Sequence, residues 1–228
     1  MQPYNQITID NSVITEYLTH LNDKQFPCVA AREAVARQQV KCFVADNIAC
    51  PKDDMEILKF LYSFVDEVRS EAGFFYSAAI IFKDAGFYPE ELFDKFLWKR
   101  LQSLADLDAL NFGYDARVDN DPSSAKFSFS LKEEAFYVIG LHANSSRPSR
   151  RFKYPVLVFN PHAQFEELRK TTSYQKMQNI VRKRDIAYSG SINPMLKNFG
   201  ESSEVYQYSG KEYDKEWQCP LKINHAKA

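Results

Sequence analysis

The strongest constraint on the fold is a nearly continuous apolar run, Phe74–Phe82, which reads FFYSAAIIF. Gly73 precedes this run and Asp84 follows it closely. The run is too short to span a bilayer, which takes roughly 20 apolar residues in a helix. A short apolar run between turn residues is typical of a strand that is buried on both faces. We therefore expect a sheet with this strand at its centre.

Five segments carry helix signals. Asp53 and Asp54 stand where N-cap residues belong, ahead of an amphipathic run that Gly73 ends. Cys28–Gln38 is rich in Ala, which has the highest helix propensity, and Pro27 suits the start of a helix. The other three helices are expected from Pro89 onwards, at Pro161–Lys170 with Asn160 as the N-cap, and at about Ser173–Ala187.

The remaining strands are short. Val40–Val44 and Val156–Phe159 are rich in β-forming residues. Apolar residues at 127, 129 and 131 alternate with polar ones, which predicts a strand with one exposed face. Ala135–Leu141 returns from that strand as a hairpin. Because these strands do not follow strict βαβ alternation, the α+β class is favoured over a doubly wound sheet.

Length and composition support one globular unit. The 228 residues, 45% of them hydrophobic, suffice for a single large core. We expect a single α+β domain over residues 1–228, with a mainly antiparallel sheet of about five strands packed with several helices. Residues 1–25 would form an N-terminal extension, and residues 188–228 an irregular segment that wraps the core.

Charge and targeting signals narrow the class of partner. The formal net charge is −1, so no global field attracts nucleic acid or anionic lipid. No signal peptide or membrane-spanning run is apparent, which predicts a soluble cytoplasmic protein without membrane or nucleic-acid partners. The four cysteines match no zinc-binding spacing, and we expect free thiols. Eighteen Phe and thirteen Tyr suit either ordinary packing or a flat apolar cofactor.

Two of the four histidines stand at predicted strand ends, where loops commonly carry function. These are His142 and His162, whereas His20 and His225 lie near the termini and are expected at the surface. A helix start beside His162 disfavours the imidazolium form, and neutral imidazole is the form that ligates metals. The alternative for either histidine is local capping or packing.

Two other features could carry chemistry. Arg147, Arg150 and Arg151 lie in one loop after His142, and such a cluster can clamp a carboxylate or phosphate or can be a solvated basic loop. Cys28 stands at a predicted helix start, which lowers the pKa of a thiol and would favour a thiolate nucleophile or ligand. A small buried hydrophobe is the alternative for Cys28.

Several segments, taken in order, resemble one family, the YqcI/YcgG family, which includes the haem-dependent guanidine N-hydroxylase of guanitoxin biosynthesis. The resemblance extends from about Phe26 to Pro220. It is carried by FPCVAAREA (26–34), GLHANSSRPSRRF (140–152), LVFNPHAQFEELR (157–169), RDIAYSGSINPML with FGESSEVYQYSG (184–210), and WQCP (217–220).

The resemblance implies a single haem-binding domain, with haem b as cofactor, that uses dioxygen and reductant to hydroxylate a guanidino nitrogen of arginine or an arginine-derived compound. His142 and His162 become the two candidate iron ligands, with His142 proximal, His162 distal, and Cys28 the third choice. Arg147, Arg150 and Arg151 would pair with the haem propionates. Glu166, and with less support Glu201, would face the guanidinium group of the substrate.

Two other functions remain open at this point. One is a haem-binding sensor or carrier without oxygenase activity, which would need the same iron ligand. The other is a cofactor-free protein whose arginine loop binds an anionic metabolite. The oxygenase function would also require an electron donor, and the sequence is compatible with a monomer or a homodimer.

Overall fold

The computed structural model describes residues 3–71, 73, 75–84, 86, 88–195, 197 and 200–225. These residues form a five-stranded sheet with helices on both faces. The strands are β1 (Val40–Ala45), β2 (Ser77–Phe82), β3 (Phe129–Leu131), β4 (Glu134–Leu141) and β5 (Val156–Pro161). The helices are α1 (Pro3–Asn22), α2 (Val29–Ala36), α3 (Asp54–Ser70), α4 (Glu90–Asp108), α5 (His162–Arg169) and α6 (Thr172–Ser189).

The sheet is mixed but mainly antiparallel. Its strand order is β1-β2-β5-β4-β3, with β1 and β2 parallel and every other neighbouring pair antiparallel. β3 and β4 form the expected hairpin, and β5 inserts between β2 and β4. The prediction of an α+β protein with about five mainly antiparallel strands is confirmed.

The apolar run contributes the strand β2, and all six of its residues are buried. Side chains alternate across a strand, so Ala78, Ile80 and Phe82 pack into the core formed with α3 and α4. Ala79 and Ile81 pack into a second core on the other face. The strand begins at Ser77, three residues later than predicted, and Phe74 lies outside the described residues.

The larger core contains a buried ion pair that joins α3 and α4. Arg100 pairs with Asp54, and the two side chains are only 2% and 3% exposed. The same guanidinium donates to the backbone oxygens of Ile48, at 2.7 Å, and Cys50. Arg100 therefore holds the loop before α3 in place and also stabilises the contact between α3 and α4.

The second core is formed by the N-terminal region. Val13, Tyr17 and Leu21 of α1 are buried against Ala79 and Ile81 of β2 and their neighbours. Residues 3–22, predicted as part of an extension, are thus a helix that covers one face of the sheet.

The segment that follows α6 wraps the opposite edge. The backbone oxygen of Tyr208 in this segment accepts a hydrogen bond from Gly140 N at 2.6 Å. The segment thereby covers a stretch of β4 that β3 leaves unpaired. The hydroxyl of Ser128 donates to Glu204, and Ser128 and Ser130 are fully buried. The expectation that the strand around residue 129 has an exposed face is therefore wrong.

Two further expectations need correction. Asn160 is not the cap of α5, because it belongs to β5 and its side-chain amide donates to the Tyr137 carbonyl at 3.2 Å; Pro161 is the N-cap. His225 is buried rather than exposed, since its Nε2 lies 2.8 Å from Asp108 Oδ2 at the end of α4. His20 is partly buried against the rings of Phe26 and Phe152.

Replacing Asp54 by Ala should lower the free energy of unfolding by about 3–5 kcal/mol, because Arg100 would keep a buried charge without its partner. Urea denaturation measures this change. The exposed pair between Lys59 and Glu56 provides the matched control, and Glu56→Ala should cost less than about 1 kcal/mol. Equal losses in the two variants would contradict the assigned role of the buried pair.

Candidate functional site

A cavity of about 370 Å³ opens on the face of the sheet that carries α2. We call it the α2–α6 cavity. Its floor is formed by β1, β2, β5 and β4, and its walls by α2, α5, α6 and the segment after α6. Its volume falls in the range of ordinary ligand sites. The apolar residues on its wall include Leu21, Phe26, Ile139, Leu141, Val158, Phe165, Leu168 and Val181.

The small residues of α2 leave room for this cavity. Ala30, Ala31 and Ala34 line it, as does Cys28, the N-cap of the helix. The Sγ of Cys28 accepts a hydrogen bond from Ala31 N at 3.4 Å. Burial nevertheless raises the pKa of the Cys28 thiol, and the bonds from the helix start only partly offset this effect. A raised thiol pKa favours the alternative of a small buried side chain at Cys28, and all four cysteines are free.

His162 lies on the cavity wall as the first residue of α5. It is 6% exposed, and burial lowers its pKa to about 4, with the nearby Arg169 cation acting in the same direction. Its Nδ1 lies 3.9 Å from Glu166 Oε1, beyond hydrogen-bond distance. The imidazole is neutral at pH 7, as expected, but burial is the main cause.

His142 lies on the opposite face of the sheet. A Cβ on Gly140 would come within 2.9 Å of the Phe93 ring of α4, whereas Leu141 lines the cavity. By alternation His142 faces α4, where it stacks on Phe93 with ring centroids 4.2 Å apart. The fold therefore does not bring the two candidate iron ligands, His142 and His162, into one pocket.

The environment of His142 is that of a core residue. It is 1% exposed, and neither ring nitrogen has a hydrogen-bond partner among the described residues. Burial lowers the pKa of His142 to about 4. An uncharged, tightly packed ring of this kind contributes to the core and does not face the cavity.

The three arginines of the loop are not assembled into one clamp. Arg147 lines the cavity and is paired with Asp185 of α6. Arg150 also lines it, but its guanidinium donates to the backbone oxygens of Gly140, at 3.2 Å, and Gln207, at 3.0 Å. Arg151 is exposed and donates to Ser145 O at 2.7 Å. These bonds hold the loop and the segment after α6 together.

Neither carboxyl predicted to face a substrate lines the cavity. Glu166 is half-exposed and paired with Arg169, and Glu201 is exposed. Among the described residues the wall carries two carboxyl groups: Asp185, which is paired with Arg147, and Glu204, which sequence reasoning missed. It begins a short 3-10 helix, Glu204–Gln207, that turns it inward. No local sequence pattern distinguishes it from Glu201.

Two hydroxyl groups hold the Glu204 carboxyl. Its Oε1 accepts hydrogen bonds from Ser128 Oγ at 2.8 Å and Tyr208 Oη at 2.5 Å. Glu204 is 6% exposed, and burial raises its pKa to about 8, against the lowering effect of these two bonds. The carboxyl is therefore mainly protonated at pH 7.

The described part of the chain has neither a multi-ligand metal centre nor a membrane-spanning helix. Among the described residues, no three His, Cys, Asp or Glu side chains are grouped so that they could hold a metal ion. A haem iron has a lesser requirement, because one or two protein ligands suffice. No helix in the described ranges is long and apolar enough to cross a bilayer.

The low pKa values of His142 and His162 predict acid sensitivity. Between pH 6.5 and about 4, each histidine binds a proton in the unfolded chain but not in the folded protein. The free energy of unfolding therefore falls as the pH is lowered through this range, and it is unaffected by these two rings above pH 6.5. Each ring should contribute roughly 3 kcal/mol at most. In His142→Phe, urea denaturation should show a smaller fall in unfolding free energy between pH 6.5 and 4 than in the parent protein. Identical pH slopes would contradict a buried neutral His142.

Comparison with known proteins identifies the family. Residues 16–222 match the model of the YqcI/YcgG family. The chain is 28% identical over 222 residues to YqcI of Bacillus subtilis (strain 168), covering 89% of this chain and 85% of the relative. It is 24% identical over 206 residues to YcgG of the same organism, covering 86% and 80%. Both relatives carry the name "uncharacterized protein". No solved structure matches the chain. Since the match spans nearly all of its length, the chain belongs to the YqcI/YcgG family.

Proposed function

We propose that this protein is a haem-dependent N-oxygenase that hydroxylates a guanidino nitrogen of arginine or an arginine-derived metabolite, using dioxygen and reductant. The observation that carries the proposal is a neutral imidazole, His162, on the wall of a largely apolar cavity. The substrate class comes from the resemblance to the guanidine N-hydroxylase of the same family.

The residues of the cavity fit a haem. Its apolar floor suits a flat porphyrin, and the alanines of α2 permit close approach of such a group. His162 would supply the iron ligand in the neutral form that coordination requires. Cys28 lines the same cavity, but its protonated thiol is a weaker candidate. His142 does not line the cavity, so we propose His162, and not His142, as the iron ligand.

The propionate groups of a haem need cationic partners. Among the residues that the structure describes, five cationic side chains line the cavity, against the two carboxyl groups of Asp185 and Glu204. Arg147 and Arg150 belong to this set and remain candidate partners of the propionates. Arg147 is paired with Asp185, and Arg150 donates to backbone oxygens. The cations are Arg147, Arg150, Arg169, Arg182 and Lys197.

When bound, the haem would supply the oxygen chemistry, and the chain would supply binding and orientation. The apolar wall would exclude water from the reacting groups. Glu166 would act indirectly, because its carboxylate holds Arg169 on the cavity wall. We place this reaction in the cytoplasm, with an electron donor still to be identified.

A second candidate function is binding of an anionic metabolite without a cofactor. The excess of cationic side chains over carboxyl groups on the cavity wall favours it. The two functions differ in whether the protein binds hemin, so one titration separates them.

Titration of the purified protein with hemin should produce a Soret band that saturates at one equivalent. Replacing His162 by Ala should shift the band and weaken hemin binding by at least about tenfold, because even the loss of a residue that only supports a metal ligand typically costs about that much. His142→Ala is the matched control, because it removes a histidine from the other face of the sheet, and its spectrum should match that of the parent. No Soret band at one equivalent would refute the haem proposal and favour the anionic metabolite.

The haem-loaded protein, given reductant, dioxygen and arginine, should form a hydroxyguanidine that mass spectrometry detects as one added oxygen atom. His162→Ala should abolish this product, while His142→Ala should retain it. A protein that binds haem but hydroxylates no guanidino compound would instead be a haem-binding module.

A further inference from the structure

We propose that Glu204 binds the cationic guanidino group of the substrate on the wall of the α2–α6 cavity, an inference that rests on the proposed function. A guanidinium group has five N–H donors and no acceptor, so it requires acceptors from the protein. A carboxylate matches its planar geometry and its charge.

Two carboxyl groups line the cavity in the described part of the chain, and their surroundings differ. Asp185 is paired with Arg147 and also accepts from Ser189 Oγ at 3.1 Å, so its charge is already neutralised. Glu204 has only the hydroxyls of Ser128 and Tyr208 as hydrogen-bond partners among the described residues. Glu204 is thus the cavity carboxyl that has no cationic hydrogen-bond partner among the described residues.

The position of Glu204 is built into the fold. The Tyr208 hydroxyl, which donates to Glu204 Oε1, also accepts from Phe129 N at 3.1 Å. Ser203 caps the short helix through Val205 N, and Ser128 approaches from the strand side. Both hydrogen bonds from the hydroxyls reach the same oxygen, Oε1, and they hold the carboxyl in one orientation.

An incoming cation changes the protonation of this carboxyl. Burial of a carboxylate without an opposite charge costs free energy, so Glu204 keeps its proton when no cation is bound. An opposite charge beside the carboxyl favours its ionised form. Binding of a guanidinium group at pH 7 should therefore release a proton from Glu204 to the solvent. The resulting pair would be a charge-assisted hydrogen bond in a site shielded from water.

Among the described groups that face Glu204, the phenols and the imidazole titrate outside the range of pH 6 to 9. A pH effect on binding within this range is therefore assigned to Glu204. Burial holds the pKa values of the Tyr208 and Tyr114 phenols well above 10. The charge of Arg169 on α5 lowers the pKa of Glu204, against the larger effect of burial. His162, on the same cavity wall, is neutral above about pH 4.

The test is calorimetric titration of the purified protein, before and after hemin loading, with arginine and with citrulline. Citrulline has the same shape but a neutral urea in place of the guanidinium group. At pH 7 arginine should bind at least about thirtyfold more tightly than citrulline, the usual scale for a buried charge pair. Binding enthalpies in buffers of different ionisation enthalpy should report about one proton released per arginine and none per citrulline.

The affinity for arginine should rise about tenfold per pH unit from pH 6 and level off above the Glu204 pKa of about 8. In Glu204→Gln, which keeps the shape of the side chain, the preference for arginine and the proton release should both disappear. Glu201→Gln is the matched control, since this exposed glutamate lies three residues away, and it should behave like the parent protein.

The outcomes separate this inference from the haem proposal. A Soret band together with equal binding of arginine and citrulline would overturn the role of Glu204 and leave the haem proposal intact. Discrimination with proton release but no Soret band would support Glu204 and refute the haem proposal. If Glu204→Gln does not fold, the proton release and pH dependence of the parent protein decide the question, and their absence overturns the inference.

Discussion

The protein is organised by one strand, β2, that has no face left for water. All six of its residues are buried, so a layer of helices is required on each side of the sheet. Helices α3 and α4 cover one face with large side chains, and their contact is closed by the pair between Arg100 and Asp54. Helices α1 and α2 cover the other face. The alanines of α2 fill less volume than the large residues of α3 and α4, and the α2–α6 cavity lies beside them.

The two faces of the sheet therefore differ in role, because one is filled by packed side chains and the other carries the cavity. Side chains on the face of α3 and α4 are tightly packed, and even a histidine there, His142, is held as an uncharged ring against Phe93. The face of α2 keeps open space and polar groups at its margin, among them His162 and Glu204. Burial shifts the pKa values of both groups towards the neutral form, so the cavity presents an uncharged base and an uncharged acid at pH 7.

The segment after α6 completes both the sheet and the cavity. Tyr208 covers the open edge of β4 through its backbone and holds Glu204 through its side chain. Arg150 ties the same segment to β4 through two backbone oxygens. The arginine loop, predicted as a ligand clamp, thus has a structural task. Support for the edge strand and shaping of the cavity wall come from the same few contacts.

The apolar run, the helix periodicities and the hairpin determined the α+β class and most elements, because burial patterns with periods of 2 and 3.6 residues are local. They also placed His142 and His162 at strand ends. The sequence could not assign these histidines to faces, because that depends on the register of each strand against its neighbours. It could not separate Glu204 from Glu201 either, because a long-range contact with Ser128 and Tyr208 turns only one of them inward. Tertiary structure decided which titratable groups share a cavity, since burial and charge environment arise from residues distant in sequence.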